Sequence, residues 1–139
     1  MKIPRVPLVS AAIGHASTWA IVLFLLLVPA YEGESVEATL PGEEPAEAVR
    51  TTETFLDANG LYGLFVVLAP VVLTGIAVLG QFVYREHMFR RMAAIWLPLI
   101  AVLALSFAAI FTIGVLYVPV AIALFVAALA DLAHRPEEA

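Results

Sequence analysis

The stretch MAAIWLPLIAVLALSFAAIFTIGVLYVPVAIALFVAALA, residues 92–130, decides the fold, because its 39 residues include no charged side chain. A helix that crosses a hydrocarbon core needs about 20 apolar residues, so this stretch is too long for one span and suits two. The break is expected within 111–119, since Gly114 tolerates turn dihedrals and Pro119 fits the first turn of a helix. We therefore predict a third helix at 92–112 and a fourth at 116–133.

Two further apolar runs precede this block. Residues 7–30 and 61–84 contain no charged side chain, and each has the length of one span. The first run exceeds the roughly 7–15 apolar residues of a signal peptide, so we expect it to be retained as a helix. Hydrophobic residues make up 63% of the chain, and the mean hydropathy is +0.99. The sequence thus predicts an all-α membrane protein, an antiparallel bundle of four transmembrane helices in a single domain, residues 1–139.

The basic residues are distributed unevenly among the segments that flank the helices. Six of the seven lie in the two terminal segments and in the loop between helices two and three: Lys2, Arg5, Arg85, Arg90, Arg91 and Arg135. Because Lys and Arg near helix ends are retained in the cytoplasm, both termini and the 85–91 loop are predicted to be cytoplasmic. Tyr62 and Tyr117 then lie near the outer ends of their helices, where tyrosines anchor a helix at the interface. We expect a multi-pass protein of a prokaryotic plasma membrane.

The one sizeable hydrophilic segment, about residues 31–57, lies between the first two helices. It holds eight of the twelve acidic residues of the chain. A solvated acidic loop is the simplest interpretation, because acidic stretches rich in Pro and Gly resist burial. A docking surface for a protein partner is the alternative. The spacing of a calcium-binding loop is absent, and residues 41–49 are compatible with a short helical turn.

A histidine interrupts the first apolar run, in SAAIGHASTW, residues 10–19. This residue, His15, lies about eight residues into the helix, roughly 10–12 Å below the membrane surface at 1.5 Å per residue. Polar groups at such depth find partners inside the bundle, so we expect an interhelical hydrogen bond. The candidate partners are Gln81, Asp131, a backbone carbonyl, or a bound molecule such as a quinone or a lipid headgroup. Asp131 lies within one helical turn of the membrane surface, so the alternative for this residue is that water solvates its carboxylate.

No cofactor or metal site is expected. Haem would need a second axial ligand at matching depth, and His87 and His134 both lie in segments outside the predicted helices. A metal ion would need about three ligands, and the chain has no cysteine. The basic loop is too short to bind nucleic acid. We therefore expect no catalytic residue and no nucleic-acid partner.

Small residues and prolines mark places where helices pack or bend. Ser10, Gly14 and Thr18 recur at every fourth position, which leaves a shallow face for a neighbouring helix. Pro70 lies in the middle of the second helix, where a missing hydrogen bond can kink the helix. Such a kink commonly serves helix packing, and the alternative is that it adjoins a binding site. The central parts of the helices lack Asp, Glu, Lys and Arg, which disfavours an ion-coupled transporter. Small multidrug exporters, for example, depend on a glutamate in their first helix.

Two stretches, ETFLDANGLYGLFVVLAPVVLTGIAVL (53–79) and FTIGVLYVPVAIALFVAALA (111–130), carry a resemblance. They resemble segments of uncharacterised small four-helix bacterial integral membrane proteins, which implies a four-helix membrane fold and no particular activity. The topology alone is similar to that of claudin-like tetraspan proteins. The paired cysteines of the claudin loop are absent here.

These features predict a structural or associative role rather than an enzyme. The protein is expected to be an accessory subunit or a homo-oligomeric membrane component that contacts partners through its acidic outer loop. The alternative is a small transport or binding unit that holds an apolar molecule or lipid between helices near His15 and Pro70. The two hypotheses differ in whether protein side chains or a cavity surround His15. A membrane glutathione transferase is disfavoured, because such proteins carry charged residues within the bundle.

Overall fold

A computed structural model describes residues 5–29, 31–35 and 49–133 of the chain. The elements in chain order are α1 (Arg5–Leu27), β1 (Tyr31–Ser35), β2 (Val49–Glu53), α2 (Phe55–Val83), α3 (Met88–Ala108), a 3-10 turn (Gly114–Tyr117) and α4 (Val118–Ala133). In this part of the chain, four helical segments are long and apolar enough to cross a membrane, the fourth being the 3-10 turn continued by α4. The predicted helical, multi-pass membrane fold is confirmed at this level.

The four helices form a ring in which each helix contacts two neighbours. α1 packs against α2 and α4, and α3 packs against the same two helices. We call the end of the bundle with the two strands and the 109–117 turn the sheet end, and the end with the 84–87 turn the loop end. Large apolar side chains cover the outside of the ring, and Phe111 is fully exposed. Such a surface is stable only in apolar surroundings, so these helices contact the lipid bilayer.

The second helix starts six residues before its predicted first residue, because Thr54 caps it. The Thr54 hydroxyl accepts a hydrogen bond from the Asp57 backbone N–H at 3.2 Å, and the Asp57 carboxylate accepts one from the Thr54 N–H at 3.3 Å. This reciprocal pair is a capping box. Gly60 has a φ of 58°, which interrupts the helix with a kink. Because that conformation is left-handed, glycine suits the position.

The break between the third and fourth helices lies slightly earlier than expected. α3 runs from Met88 to Ala108 rather than from 92 to 112, and the chain turns through residues 109–113. The Gly114 N–H donates to the Ala109 carbonyl at 2.7 Å. A Cβ atom at Gly114 would collide with the backbone carbonyl of Ser106, so only glycine fits this tight connection. Pro119 lies in the first turn of α4, as the sequence predicted.

The acidic segment contains two strands rather than being loop throughout, and its last three residues belong to α2. β1 and β2 pair antiparallel, with Tyr31 opposite Glu53 and Ser35 opposite Val49. We call this two-stranded structure the acidic sheet. Its pairing brings the end of α1 close to the start of α2. The short helical turn predicted at 41–49 lies, apart from Val49, outside the described residues.

Candidate functional site

His15 is part of a hydrogen-bonded chain between α1 and α2. Its Nδ1 lies 2.9 Å from the Thr74 hydroxyl oxygen, and the Trp19 indole N–H donates to its Nε2 at 3.2 Å. Because an indole nitrogen can only donate, Nε2 accepts, and Nδ1 of the neutral imidazole carries the proton. Nδ1 then donates to Thr74, whose hydroxyl donates to the Pro70 carbonyl at 2.8 Å. The imidazole nitrogens, the indole N–H and the Thr74 hydroxyl of this hydrogen-bonded series therefore all have partners within the protein.

The helix that His15 faces is therefore α2. A Cβ atom at Gly75 would lie 3.7 Å from His15 Cε1, which is ordinary van der Waals contact. His15 is not among the residues that line the cavity at the sheet end or three further cavities between the described helices. Neither Gln81 nor Asp131, the two side chains considered as partners, is hydrogen-bonded to it. Side chains of this protein thus occupy the surroundings of both imidazole nitrogens.

A buried ion pair joins α3 to α4 at the loop end. Arg91 Nε lies 2.8 Å from Asp131 Oδ1, and the two side chains are 10% and 1% exposed. The N–H direction is not aligned with the oxygen, so the contact is a charge pair rather than a well-formed hydrogen bond. The Asp131 carboxylate is not solvated, because its side chain is only 1% exposed. Solvation near the membrane surface, one of the two environments expected for Asp131, is therefore wrong. Its charge is instead compensated by Arg91, which the sequence places in the loop between helices two and three.

Gln81 is also buried in the half of the bundle nearest the loop end. It lies on α2, is 0% exposed, and has no hydrogen-bond partner for either amide atom. A buried amide without a partner is energetically costly. The residues that the structure describes contain no group of three His, Cys, Asp or Glu side chains suited to a metal ion. Gln81 is therefore a buried amide for which the described residues supply no hydrogen-bond partner.

A cavity of about 360 Å³ lies at the sheet end, between α2 and the end of α3. Its walls are mostly apolar and include Val66, Pro70 and Leu105. Tyr117 also lines it and is only 3% exposed, so it is not the interfacial anchor that its position in the sequence predicted. The Tyr117 hydroxyl has no hydrogen-bond partner. Tyr62, by contrast, is 76% exposed on the rim.

The small residues of α1 form part of its buried face. Gly14 and Thr18 are buried, and Ser10 is partly exposed. A Cβ atom at Gly14 would lie 3.4 Å from Ala123 Cβ and 3.6 Å from the Val120 carbonyl oxygen, so this part of α1 packs closely on α4. The Thr18 hydroxyl donates to the Gly14 carbonyl at 2.8 Å, within its own helix. Small residues thus allow close approach of the two helices.

The candidate residues do not converge on one site. His15 and Pro70 are linked through Thr74, whereas Asp131 pairs with Arg91 and Gln81 has no partner. Of these four candidates, Pro70 lines the cavity at the sheet end, and the other three do not. Three residues that matter in this geometry had not been singled out as sites: Thr74, Arg91 and Tyr117. The ion pair between Arg91 and Asp131 could have been predicted from the sequence. An arginine at the start of one helix and an aspartate at the end of its antiparallel neighbour lie at similar depth in the membrane.

The chain was compared with protein-family models, with curated proteins and with solved structures, and no match was found in any of the three.

Proposed function

We propose that the protein is an accessory subunit of a membrane assembly and that it docks on its partner through the acidic sheet. The observation that carries this proposal is the sheet itself, a polar, two-stranded structure held beside the membrane by α1 and α2. Glu32 and Glu53 are exposed on it. The sheet therefore presents negative charge at a defined place on an otherwise apolar protein.

The charge of this segment favours a different protein over a second copy as the partner. Residues 31–57 contain eight acidic residues and one basic residue. Two such segments facing each other would repel, because like charges across an interface are unfavourable. A basic surface on another subunit would be attracted. Charge complementarity therefore supports a heteromeric association through this face rather than a homo-oligomer.

The strand geometry supports the same proposal. Within the described residues the sheet has two strands, and no third strand pairs with either edge. An isolated two-stranded sheet is only marginally stable in water, and the edge of a sheet is a place where a partner can add a strand. Binding to a basic extended segment would therefore stabilise the sheet while compensating its charge.

The basic residues around the helices support an orientation for this docking. With both termini and the 84–87 turn in the cytoplasm, the acidic sheet lies on the outer side of a prokaryotic plasma membrane. The partner is then a membrane protein with an outer basic surface, or an external protein. The alternative function, a binding unit for an apolar molecule beside His15, is less well supported, because His15 is bonded to Thr74 and Trp19.

Site-specific photo-crosslinking in native membranes tests the docking proposal. A photoreactive residue in place of the exposed Glu32 should form an adduct with a different polypeptide. The same residue in place of the exposed Glu86, at the loop end, is the matched control and should not form it. Neutralising the rest of the sheet with Glu34→Gln and Glu53→Gln should reduce the adduct several-fold. Self-adducts, or adducts of equal yield at both positions, would contradict the proposal.

A further inference from the structure

We propose that a groove between α2 and α3 at the loop end binds an anionic phospholipid, with the lipid phosphate on Arg90 and one acyl chain between the two helices. We call it the α2–α3 groove. Its volume is about 400 Å³, and its lining includes Ile76 and Tyr84 from α2 and its C-terminal cap, and Arg90, Ala93 and Leu97 from α3. It lies at the opposite end of the bundle from the acidic sheet, so the inference does not depend on the proposed docking function.

The α2–α3 groove is open to the outside of the bundle. Ile76 and Leu97 line it and are 47% and 66% exposed. Because the surroundings of these helices are the bilayer, a molecule that enters the groove comes from the membrane. The two helices approach closely beneath it, since a Cβ atom at Gly80 would overlap with the side chain of Ala94, another lining residue. The groove is therefore a depression in the lipid-facing surface, with small residues where the helices meet.

The lining residues of α3 follow one face of that helix through the membrane. Arg90, Ala93 and Leu97 are spaced by three and four residues, so they lie on the same side. Arg90 is in the first turn of α3, and Pro98 is the lining residue furthest from the loop end. Residues 90–98 rise over about 12 Å at 1.5 Å per residue, whereas one leaflet contributes about 15 Å of hydrocarbon. The groove thus follows the course of an acyl chain whose headgroup is at the loop end.

Arg90 supplies an uncompensated positive charge where that headgroup would lie. The neighbouring arginines have carboxylate partners, because Arg85 lies 3.8 Å from Glu86. Arg91 lies 2.8 Å from Asp131. Arg90 is exposed, and within the described part of the chain no carboxylate forms an ion pair with it. A guanidinium can donate two parallel hydrogen bonds to a phosphate, so a lipid phosphate would compensate this charge.

A phospholipid suits the groove better than a helix of another protein. Such a helix would have to bring a carboxylate to the membrane surface beside Arg90, whereas lipid phosphates are already there. Basic pockets between transmembrane helices bind anionic headgroups. A zwitterionic headgroup is less favourable, because its ammonium group would place a second positive charge near Arg90.

A comparison of an anionic and a zwitterionic lipid tests this assignment. The probes are phosphatidylglycerol and phosphatidylcholine with identical acyl chains, and native mass spectrometry of the delipidated protein measures the dissociation constant of each. The wild type should bind phosphatidylglycerol about fivefold more tightly, the effect of about one arginine near anionic lipid. Arg90→Gln should remove that preference, and Arg90→Lys, which retains the charge, should keep most of it. A preference that is unchanged in Arg90→Gln would overturn the assignment.

Arg85 provides the matched control for the charge. It is exposed at the same end of the bundle but does not line the α2–α3 groove. Arg85→Gln should therefore retain the preference for phosphatidylglycerol. A loss of equal size in Arg85→Gln and Arg90→Gln would show that the loop end attracts anionic lipid through its overall charge. That result would overturn the placement of the phosphate on Arg90.

Two alanines of α3 test the position of the acyl chain. Ala93 lines the groove, whereas Ala104 is exposed and lies outside it. Ala93→Phe should fill the groove and weaken the binding of both lipids about tenfold or more, which corresponds to the lost burial of about two methylene groups. Ala104→Phe should leave the binding unchanged. Equal effects of the two substitutions would overturn the groove as the site of the chain. The melting temperature of each variant checks its folding, and the comparison of Arg90→Gln with Arg85→Gln decides the proposal even if Ala93→Phe does not fold.

Discussion

Arg91 Nε lies 2.8 Å from Asp131 Oδ1, and this ion pair connects the first turn of α3 to the last turn of α4 inside the bundle. A buried charge is tolerated only when it is compensated. The two residues are 40 positions apart, so their pairing fixes how the ends of these helices meet. The pair therefore gives the loop end a specific arrangement that apolar contacts alone would not define.

Removing one member of this pair should destabilise the protein strongly. Asp131→Leu leaves the Arg91 guanidinium buried and unpaired, which we expect to lower the free energy of unfolding by about 3–5 kcal/mol. The double variant Arg91→Met with Asp131→Leu should recover most of that loss, because no buried charge remains. Denaturant unfolding in detergent, followed by tryptophan fluorescence, measures both.

Arg85 provides the control for the ion pair. It is exposed and contacts Glu86 at 3.8 Å, so Arg85→Gln should change the stability by less than about 1 kcal/mol. If the double variant were as unstable as Asp131→Leu, the arginine and aspartate would not act as a compensating pair.

The hydrogen bond between His15 and Thr74 should contribute modestly to stability. We expect His15→Leu to lower the free energy of unfolding by about 1 kcal/mol, the usual scale for a bond between membrane helices. A double-mutant cycle with Thr74→Val should give a coupling energy of about 0.6 kcal/mol or more. The matched cycle uses Thr18→Val, because the Thr18 hydroxyl bonds within its own helix. Equal coupling in the two cycles would show that His15 does not bond specifically to Thr74.

Close packing of α2 on α3 depends on the absence of a side chain at Gly80. A Cβ atom there would overlap with the Ala94 side chain. Gly80→Ala should therefore lower the free energy of unfolding by about 1–3 kcal/mol, and adding Ala94→Gly should restore part of it. Gly75→Ala is the control, because its Cβ would meet only His15 Cε1 at 3.7 Å. A failure of Ala94→Gly to rescue Gly80→Ala would show that another contact limits this position.

The membrane orientation can be tested without background labelling, because the chain has no cysteine. Glu32→Cys on the acidic sheet should react with an impermeant maleimide added to intact cells. Glu86→Cys in the 84–87 turn should react only after the membrane is permeabilised. These results are expected if the segments rich in Lys and Arg lie in the cytoplasm, as the proposed orientation has them. The opposite labelling pattern would reverse the proposed orientation and place the acidic sheet in the cytoplasm.

The lengths of the apolar runs were enough to predict four helices. They were also enough to place the connection near Gly114 and Pro119, because a span has a fixed length and few residues permit the turn. The exact ends were less predictable. Capping by Thr54 extends α2 beyond its apolar run to Phe55, and such local hydrogen bonds are independent of hydrophobicity.

The contacts between helices were harder to predict, because they depend on rotation and depth rather than on composition. Arg91 follows two other arginines and was assigned to the loop with them. α3 begins at Met88, however, so this arginine lies in the helix with its side chain in the bundle. Tyr117 was assigned to the membrane interface because of its position in the sequence. The 3-10 turn instead directs its side chain into the interior.

Native mass spectrometry of the protein released from its own membrane in mild detergent tests the proposed docking most directly. The account predicts the 14.9 kDa chain in a fixed ratio with a different polypeptide. That complex should dissociate when Glu32, Glu34 and Glu53 are replaced by Gln. A bare monomer, a homo-oligomer, or a heteromeric complex that persists unchanged in the Gln variant would contradict docking through the acidic sheet.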